Sequence, residues 1–146
     1  MTDKNSLNFY YLAFGANMNK KTMKDRCGDD IEFIGKAEIQ DFKFIIDTKG
    51  VASVIESKGD FVEGILWNIS LDDVHKLDFY EGTKRKDYYK KFLNIEVKDI
   101  EVRAFFYVAY EKNIGKTDKN YLIDIIKQSK DNNFKEEYIN HLESFK

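Results

Sequence analysis

The segment Leu77-Asp78-Phe79-Tyr80-Glu81-Gly82 sets a carboxylic acid where a solvated charge is not expected. Ser70 reads as a helix N-cap, and Asp73 three residues on resembles the second half of a capping box. Gly82 reads as the stop. Between them Leu71, Val74 and Leu77 form one apolar stripe. At about 100° per residue, Glu81 falls within roughly 20° of the centre of that stripe. It also stands at the helix C-terminus, where the macrodipole disfavours an anion. Partial burial raises its pKa in the same direction. A carboxyl whose proton affinity is raised twice over can take up and return a proton near neutral pH. The other reading is a frayed helix end with Glu81 in water.

A second chemical feature is the break at Gly15 to Met18. Glycine lets the backbone approach a ligand closely. The free N–H groups of a turn and a helix start form an anion nest, able to hold a carboxylate or a developing oxyanion. An ordinary strand-to-helix turn has the same residues. Lys84-Arg85-Lys86 offers positive charge close to Glu81, and equally reads as a solvated turn.

Other chemistries find little support. His75 and His141 are the only histidines, and neither has a metal-ligand spacing. Cys27 falls at a helix C-terminus, where the dipole disfavours a thiolate, so it reads as structural. No GxGxxG or P-loop is present.

The elements that must position these groups can be read along the chain. Phe9 to Phe14 is an apolar, aromatic run that suggests a buried strand. Asn19 then caps a helix to about Arg26 that ends near Gly28, with Met18 and Met23 at the two staple positions. Further strands are expected at Glu32 to Ile39, Phe42 to Asp47, Val51 to Ser57, Gly64 to Ile69, Phe92 to Val97 and Val102 to Tyr110. Two helices close the chain. Asp118 caps the first, which buries Tyr121, Leu122, Ile125 and Ile126. The second carries Phe134, Tyr138, Leu142 and Phe145. Strands in the middle with helices inserted and appended suggest an α+β domain, with a small barrel as one form of it.

At 146 residues the chain reads as one domain, 1–146, able to bury about 68–70% of its unfolded surface. Twelve Phe and nine Tyr supply large buried areas, and the absence of proline leaves turns to Gly, Asn, Asp and Ser. A net charge of -2 with interspersed signs argues against nucleic acid and against a polybasic membrane contact. No apolar run is long enough to span a bilayer, and Met1 to Leu7 lacks the plan of a signal peptide. A single cysteine fits a reducing, cytoplasmic setting. Edge strands and aromatic surfaces leave a homodimer open, though no residue specifies one.

Taken together, Tyr11-Leu12-Ala13-Phe14-Gly15-Ala16-Asn17-Met18 and Leu77-Asp78-Phe79-Tyr80-Glu81-Gly82 resemble the two signature segments of the γ-glutamylcyclotransferase family. Ala37 to Phe44, Gly64-Ile65-Leu66-Trp67 and Asn132 to Leu142 resemble further family segments, in the same order. The resemblance implies a small mixed β-barrel with peripheral helices, and a cofactor-free enzyme without metal. It converts a small-molecule γ-glutamyl substrate to 5-oxoproline and a free amine or amino acid, by attack of the α-amine on the γ-carbonyl. It implies Glu81 as general acid and base, and substrate binding at Tyr11, Phe14, Gly15, Ala16, Asn17 and Met18. Tyr88 falls where the family has a pocket tyrosine, and Tyr121 aligns with another. Phe14 stands where the family has Tyr, and Ala16 where it has Ser, so two hydroxyls are missing. Backbone recognition tolerates both changes, whereas hydroxyl recognition would be weakened or redirected. A γ-glutamylamine, glutathione, a specialised-pathway intermediate, or binding without turnover therefore remain open alternatives.

Overall fold

The computed structural model describes residues 7–82 and 87–146. Its centre is a mixed five-stranded sheet in the order β2-β3-β1-β5-β4. The strands are β1 (Leu7–Ala13), β2 (Glu32–Ile46), β3 (Ala52–Ser70), β4 (Tyr88–Val97) and β5 (Ile100–Ala109). β1 lies in the middle, antiparallel to β3 and parallel to β5. A central strand is covered on both faces, which is why its run from Tyr11 to Phe14 is apolar without alternation. Four helices surround the sheet: α1 (Lys20–Cys27), α2 (Leu71–Glu81), α3 (Lys119–Asp131) and α4 (Glu136–Glu143).

The α+β expectation holds, but the sheet is not a closed barrel. β2 and β4 remain edges, and a groove runs between residues 38–40 of one and 93–96 of the other. A side chain, not a ladder, bridges this seam: Lys98 Nζ donates to the Ile34 carbonyl at 2.8 Å. Glu38, Glu96 and Lys98 along the groove place charge on both edges, which discourages further strand pairing.

Two expected strand pairs are single long strands. The strands expected at Glu32 to Ile39 and Phe42 to Asp47 join in β2, which ends at Ile46, through a bulge where Asp41 takes a φ of 66°. Opposite it, the polar stretch Glu56 to Asp60 continues β3 instead of ending it. The bulge is held by a hydrogen bond from Gly59 N–H to Asp41 Oδ1 at 3.0 Å. Polar composition therefore reflects an exposed strand here, not a loop. β4 and β5 are joined by Lys98 and Asp99, both with positive φ, as a two-residue hairpin turn requires.

The helix ends follow the capping signals. Asn19 Oδ1 accepts from Lys21 N–H and Thr22 N–H. The reciprocal box of Ser70 and Asp73 is formed. Asp118 accepts from Asn120 N–H and Tyr121 N–H. Leu71, at the first position of α2, is 38% exposed, so the buried stripe of that helix begins at Val74. Phe134 and Phe145 flank α4 and do not belong to it. Phe44 is the hub of the aromatic core on this side, with edge contacts to Phe14, Tyr138 and Phe145.

Candidate active site

Glu81 is the last residue of α2. The helix stops there because Gly82 takes a left-handed conformation (φ 71°, ψ 30°) and its N–H closes onto the carbonyls of Asp78 and Phe79. That stop aims Glu81 into a cavity of about 220 Å³, a volume suited to a ligand of amino-acid size. Across the cavity lies the turn from Phe14 to Asn17. The two segments are brought together by β1, which α2 packs against and from which the turn leads.

The turn is placed by a close backbone approach. Ala13 pairs with Ile65 on β3, and a side chain at the neighbouring Gly64 would collide with the Ala13 carbonyl. Gly15 is equally crowded, since a Cβ there would lie 3.0 Å from both Ala52 Cβ and the Tyr121 hydroxyl. After it, Ala16–Met18 forms one 3-10 turn, closed by Met18 N–H to the Gly15 carbonyl at 3.1 Å. Among the described residues the amides of Ala16 and Asn17 donate to no main-chain carbonyl, as expected at a helix start.

Asn17 locks the turn to its surroundings. It is 3% exposed, and all of its polar groups except its own N–H are engaged. Its Nδ2 donates to the Tyr11 hydroxyl at 2.9 Å, and its Oδ1 accepts from Arg26 Nη1 at 2.6 Å. Its carbonyl accepts from Trp67 Nε1 at 3.0 Å. A buried amide engaged at both its oxygen and its nitrogen fixes geometry, because a flip would break both bonds.

With the exposed Tyr80, four further tyrosines complete the wall. Tyr11 packs edge-on against Tyr107 with ring centres 5.8 Å apart. Tyr107 donates to Asp78 Oδ1 at 2.7 Å, and Lys90 donates to Asp78 Oδ2 at 2.9 Å. Tyr88 donates to the buried Asp47 at 3.4 Å. The Tyr121 hydroxyl accepts from Ala52 N–H at 3.0 Å. Burial pushes all four phenols above their usual pKa, Tyr121 to about 12, so they remain neutral donors at physiological pH.

Glu81 is the one carboxyl among the described residues that line the cavity, and its proton affinity is altered most usefully. Burial pushes its pKa up to about 7. The Arg26 charge opposes that rise, and the Asp47 charge adds to it. A carboxyl poised near neutral pH inside a cavity can act as base and then as acid.

Of the residues expected to bind substrate, Tyr11, Phe14, Gly15, Ala16, Asn17, Tyr88 and Tyr121 line this cavity with Glu81. Met18 does not. It is 1% exposed and lies in the core beside Met23, the staple position that its helix start predicts. The ring of Phe14 turns largely inward, edge-on to Phe44 and Phe106, where a hydroxyl would have no evident use. Lys84-Arg85-Lys86 falls outside the described residues.

Sequence reasoning missed Arg26, Tyr107 and Asp47. Arg26 stands three residues after Met23 and one before Cys27, both buried, so a helical wheel of α1 would have put it at the edge of the inner face. Asp47 follows an apolar strand and precedes Thr48-Lys49-Gly50, an Asx-turn signal; its Oδ1 accepts from Lys49 N–H and Val51 N–H. Tyr107 is hidden in an apolar run buried on both faces of the sheet. Cys27 is the structural residue expected, with burial raising its thiol to about 12. His75 is exposed, and His141 Nε2 meets the Phe44 carbonyl at 2.8 Å.

The architecture is shared with solved cyclotransferase-type proteins. A structure named gamma-glutamyl cyclotransferase superposes with a TM-score of 0.85 at 23% identity, covering 94% of this chain and 88% of that one. The chain belongs to the AIG2-like family, whose model matches residues 61–142. It is 27% identical over 124 residues to the human protein named gamma-glutamylcyclotransferase, covering 76% of this chain. A mouse protein of the same name is 27% identical over 143 residues, covering 89% of this chain and 74% of its own length. The chain spans only 65% of the length of the human relative and 61% of a bovine one. No helix among the described residues is long and apolar enough to cross a membrane.

Proposed function

We propose that this protein is a γ-glutamyl cyclotransferase that releases 5-oxoproline from a γ-glutamyl amino acid or amine. One observation carries the reading: Glu81, with a pKa raised to about 7, faces the Gly15–Asn17 turn across a cavity of amino-acid size. The similarity to proteins named gamma-glutamylcyclotransferase supports it.

The chemistry requires little beyond these groups. The substrate's α-ammonium must lose a proton before its nitrogen can attack the γ-carbonyl carbon. Glu81 as carboxylate takes that proton. A new C–N bond then closes the five-membered ring, and charge develops on the carbonyl oxygen. The turn amides are placed to receive an oxygen anion, whether that oxyanion or a substrate carboxylate. The original amide C–N bond breaks as protonated Glu81 returns the proton to the departing nitrogen. The α-ammonium begins with three protons and the lactam keeps one. The other two therefore leave with the amine, which emerges as an ammonium: one is the proton that Glu81 returns, and the second is shed by the ring nitrogen and passes to the amine by way of the Glu81 carboxylate once it has been emptied. Nucleophile and electrophile share one molecule, so holding a folded conformer supplies much of the rate; oriented intramolecular attack reaches effective molarities on the order of 10⁵–10⁸ M. The scheme calls on no cofactor, and a cytoplasmic setting suits the single thiol.

The test is incubation with γ-glutamyl dipeptides and γ-glutamylamines, read by mass spectrometry for 5-oxoproline and the released partner. Absence of 5-oxoproline from every member of such a panel would overturn the reading.

A further inference from the structure

Arg26 projects from the last turn of α1 into the same cavity as Glu81. Its guanidinium is held on an edge and on a face. Nη1 donates to the buried Asn17 Oδ1 at 2.6 Å, and the guanidinium carbon lies 4.9 Å from the centre of the Tyr80 ring. Asn17 is itself fixed by Tyr11 and Trp67, so the fork is preorganised and not adrift in solvent. A guanidinium carries five N–H donors, and the Asn17 bond uses one. Among the described residues no carboxylate forms an ion pair with Arg26, although a half-buried arginine commonly meets one. It is also the one cationic side chain among the described residues that line the cavity.

We infer that Arg26 receives the α-carboxylate of the substrate's glutamyl group and thereby sets which γ-glutamyl compounds can react. The inference rests on the cyclotransferase reading above and makes it specific. In an α-amino acid the carboxylate and the ammonium share one carbon. A cation that fixes the carboxylate on one wall therefore fixes where the ammonium can lie. Glu81, the carboxyl on the cavity wall that feels the Arg26 charge, is the group available to meet that ammonium. With both ends of the amino acid held, the turn at Ala16 and Asn17 is left for the γ-carbonyl oxygen. This divides the anion sites: the arginine takes the permanent charge, and the uncharged amides take the charge that appears only during reaction, where they contribute most. The missing hydroxyls at Phe14 and Ala16 then matter little, because no step relies on them.

The experiment compares three substrates on the wild-type protein, Arg26→Met and Arg26→Lys. They are γ-glutamyl-alanine, γ-glutamyl-propylamine, which has no carboxylate on its leaving group, and 4-aminobutanoyl-alanine, which has no α-carboxylate. The expected result is a fall in kcat/KM of about 10- to 100-fold for both γ-glutamyl compounds in Arg26→Met. Arg26→Lys should fall between the two. 4-Aminobutanoyl-alanine, already slow with wild type, should be unaffected by either change. Loss confined to γ-glutamyl-alanine would assign Arg26 to the leaving group and overturn the inference. Equal losses for all three substrates would reduce Arg26 to a support for Asn17, and wild-type indifference to the α-carboxylate would overturn the inference without any variant. Should no substrate turn over, the proposed function fails, and binding still judges Arg26. Calorimetry on Glu81→Gln should then show γ-glutamyl-alanine binding at least about tenfold tighter than 4-aminobutanoyl-alanine, an advantage lost in Glu81→Gln with Arg26→Met. Equal affinities in Glu81→Gln would overturn the inference.

Discussion

Asn17 and Arg26 are joined side chain to side chain at 2.6 Å, amide oxygen to guanidinium. This bond ties the turn after β1 to the far end of α1. It braces the turn and the helix end against each other as two parts of one cavity wall.

Glu81→Gln should abolish turnover and leave the fold intact. General acid–base catalysis contributes about 10²–10⁴-fold, and the loss should reach at least that range in kcat for 5-oxoproline release. Circular dichroism should be unchanged. A variant that retains wild-type turnover would remove Glu81 from the mechanism.

The same substitution should raise stability in a pH-dependent way. The folded pKa of Glu81, about 7, lies above its ordinary value of 4.5. The folded chain thus binds this proton more tightly than the unfolded chain does. As pH rises from 4.5 to 7, Glu81 withdraws stability, and above 7 the cost is complete. Glu81→Gln should match wild type near pH 4 and exceed it at pH 8 by about 2 kcal/mol, once solvent contact is allowed for. Denaturant titrations at the two pH values check this.

Activity should rise with pH through a midpoint near 7, because the attacking step needs the carboxylate. Asp47 contributes to holding that midpoint high. Asp47→Asn should move the acid limb of kcat/KM to lower pH, while the amide oxygen keeps an acceptor for Lys49 and Val51 N–H. A limb that stays in place would show that Asp47 does not act on Glu81.

Gly15→Ala should impair binding more than folding. The obstacle that the structure shows is space: the new methyl meets Ala52 Cβ and the Tyr121 hydroxyl at 3.0 Å. Overpacking of this kind costs about 1–3 kcal/mol. The neighbours that must yield are cavity residues, so KM should rise several-fold. Tyr121→Phe in the Gly15→Ala background removes one of the two contacts and should restore part of the loss.

Much of the candidate site was legible because local rules govern its parts. The cap at Ser70, the stop at Gly82 and the stripe between them locate Glu81 without any knowledge of the sheet. Asn19, Met18 and Met23 likewise announce α1. The strand boundaries around Asp41 and Gly59 were not legible, since a bulge and a turn use the same polar residues. The open seam was also hidden, because closure depends on the separation of β2 and β4, which no local pattern encodes. Arg26 escaped notice for a different reason. A charged side chain on a short helix looks like surface until the partner that buries it, here Asn17, is seen.

The parallel pairing of β1 with β5 places Tyr10 opposite Ala104 and Tyr11 opposite Phe105. All four other strands must be synthesised before those partners can meet. The β2–β3 and β4–β5 hairpins can form early from nearby residues, but Tyr11 and Tyr107 come together only after a loop many times longer than either hairpin has closed. Competence to bind a ligand should therefore appear last during refolding, well after most of the sheet signal has been recovered.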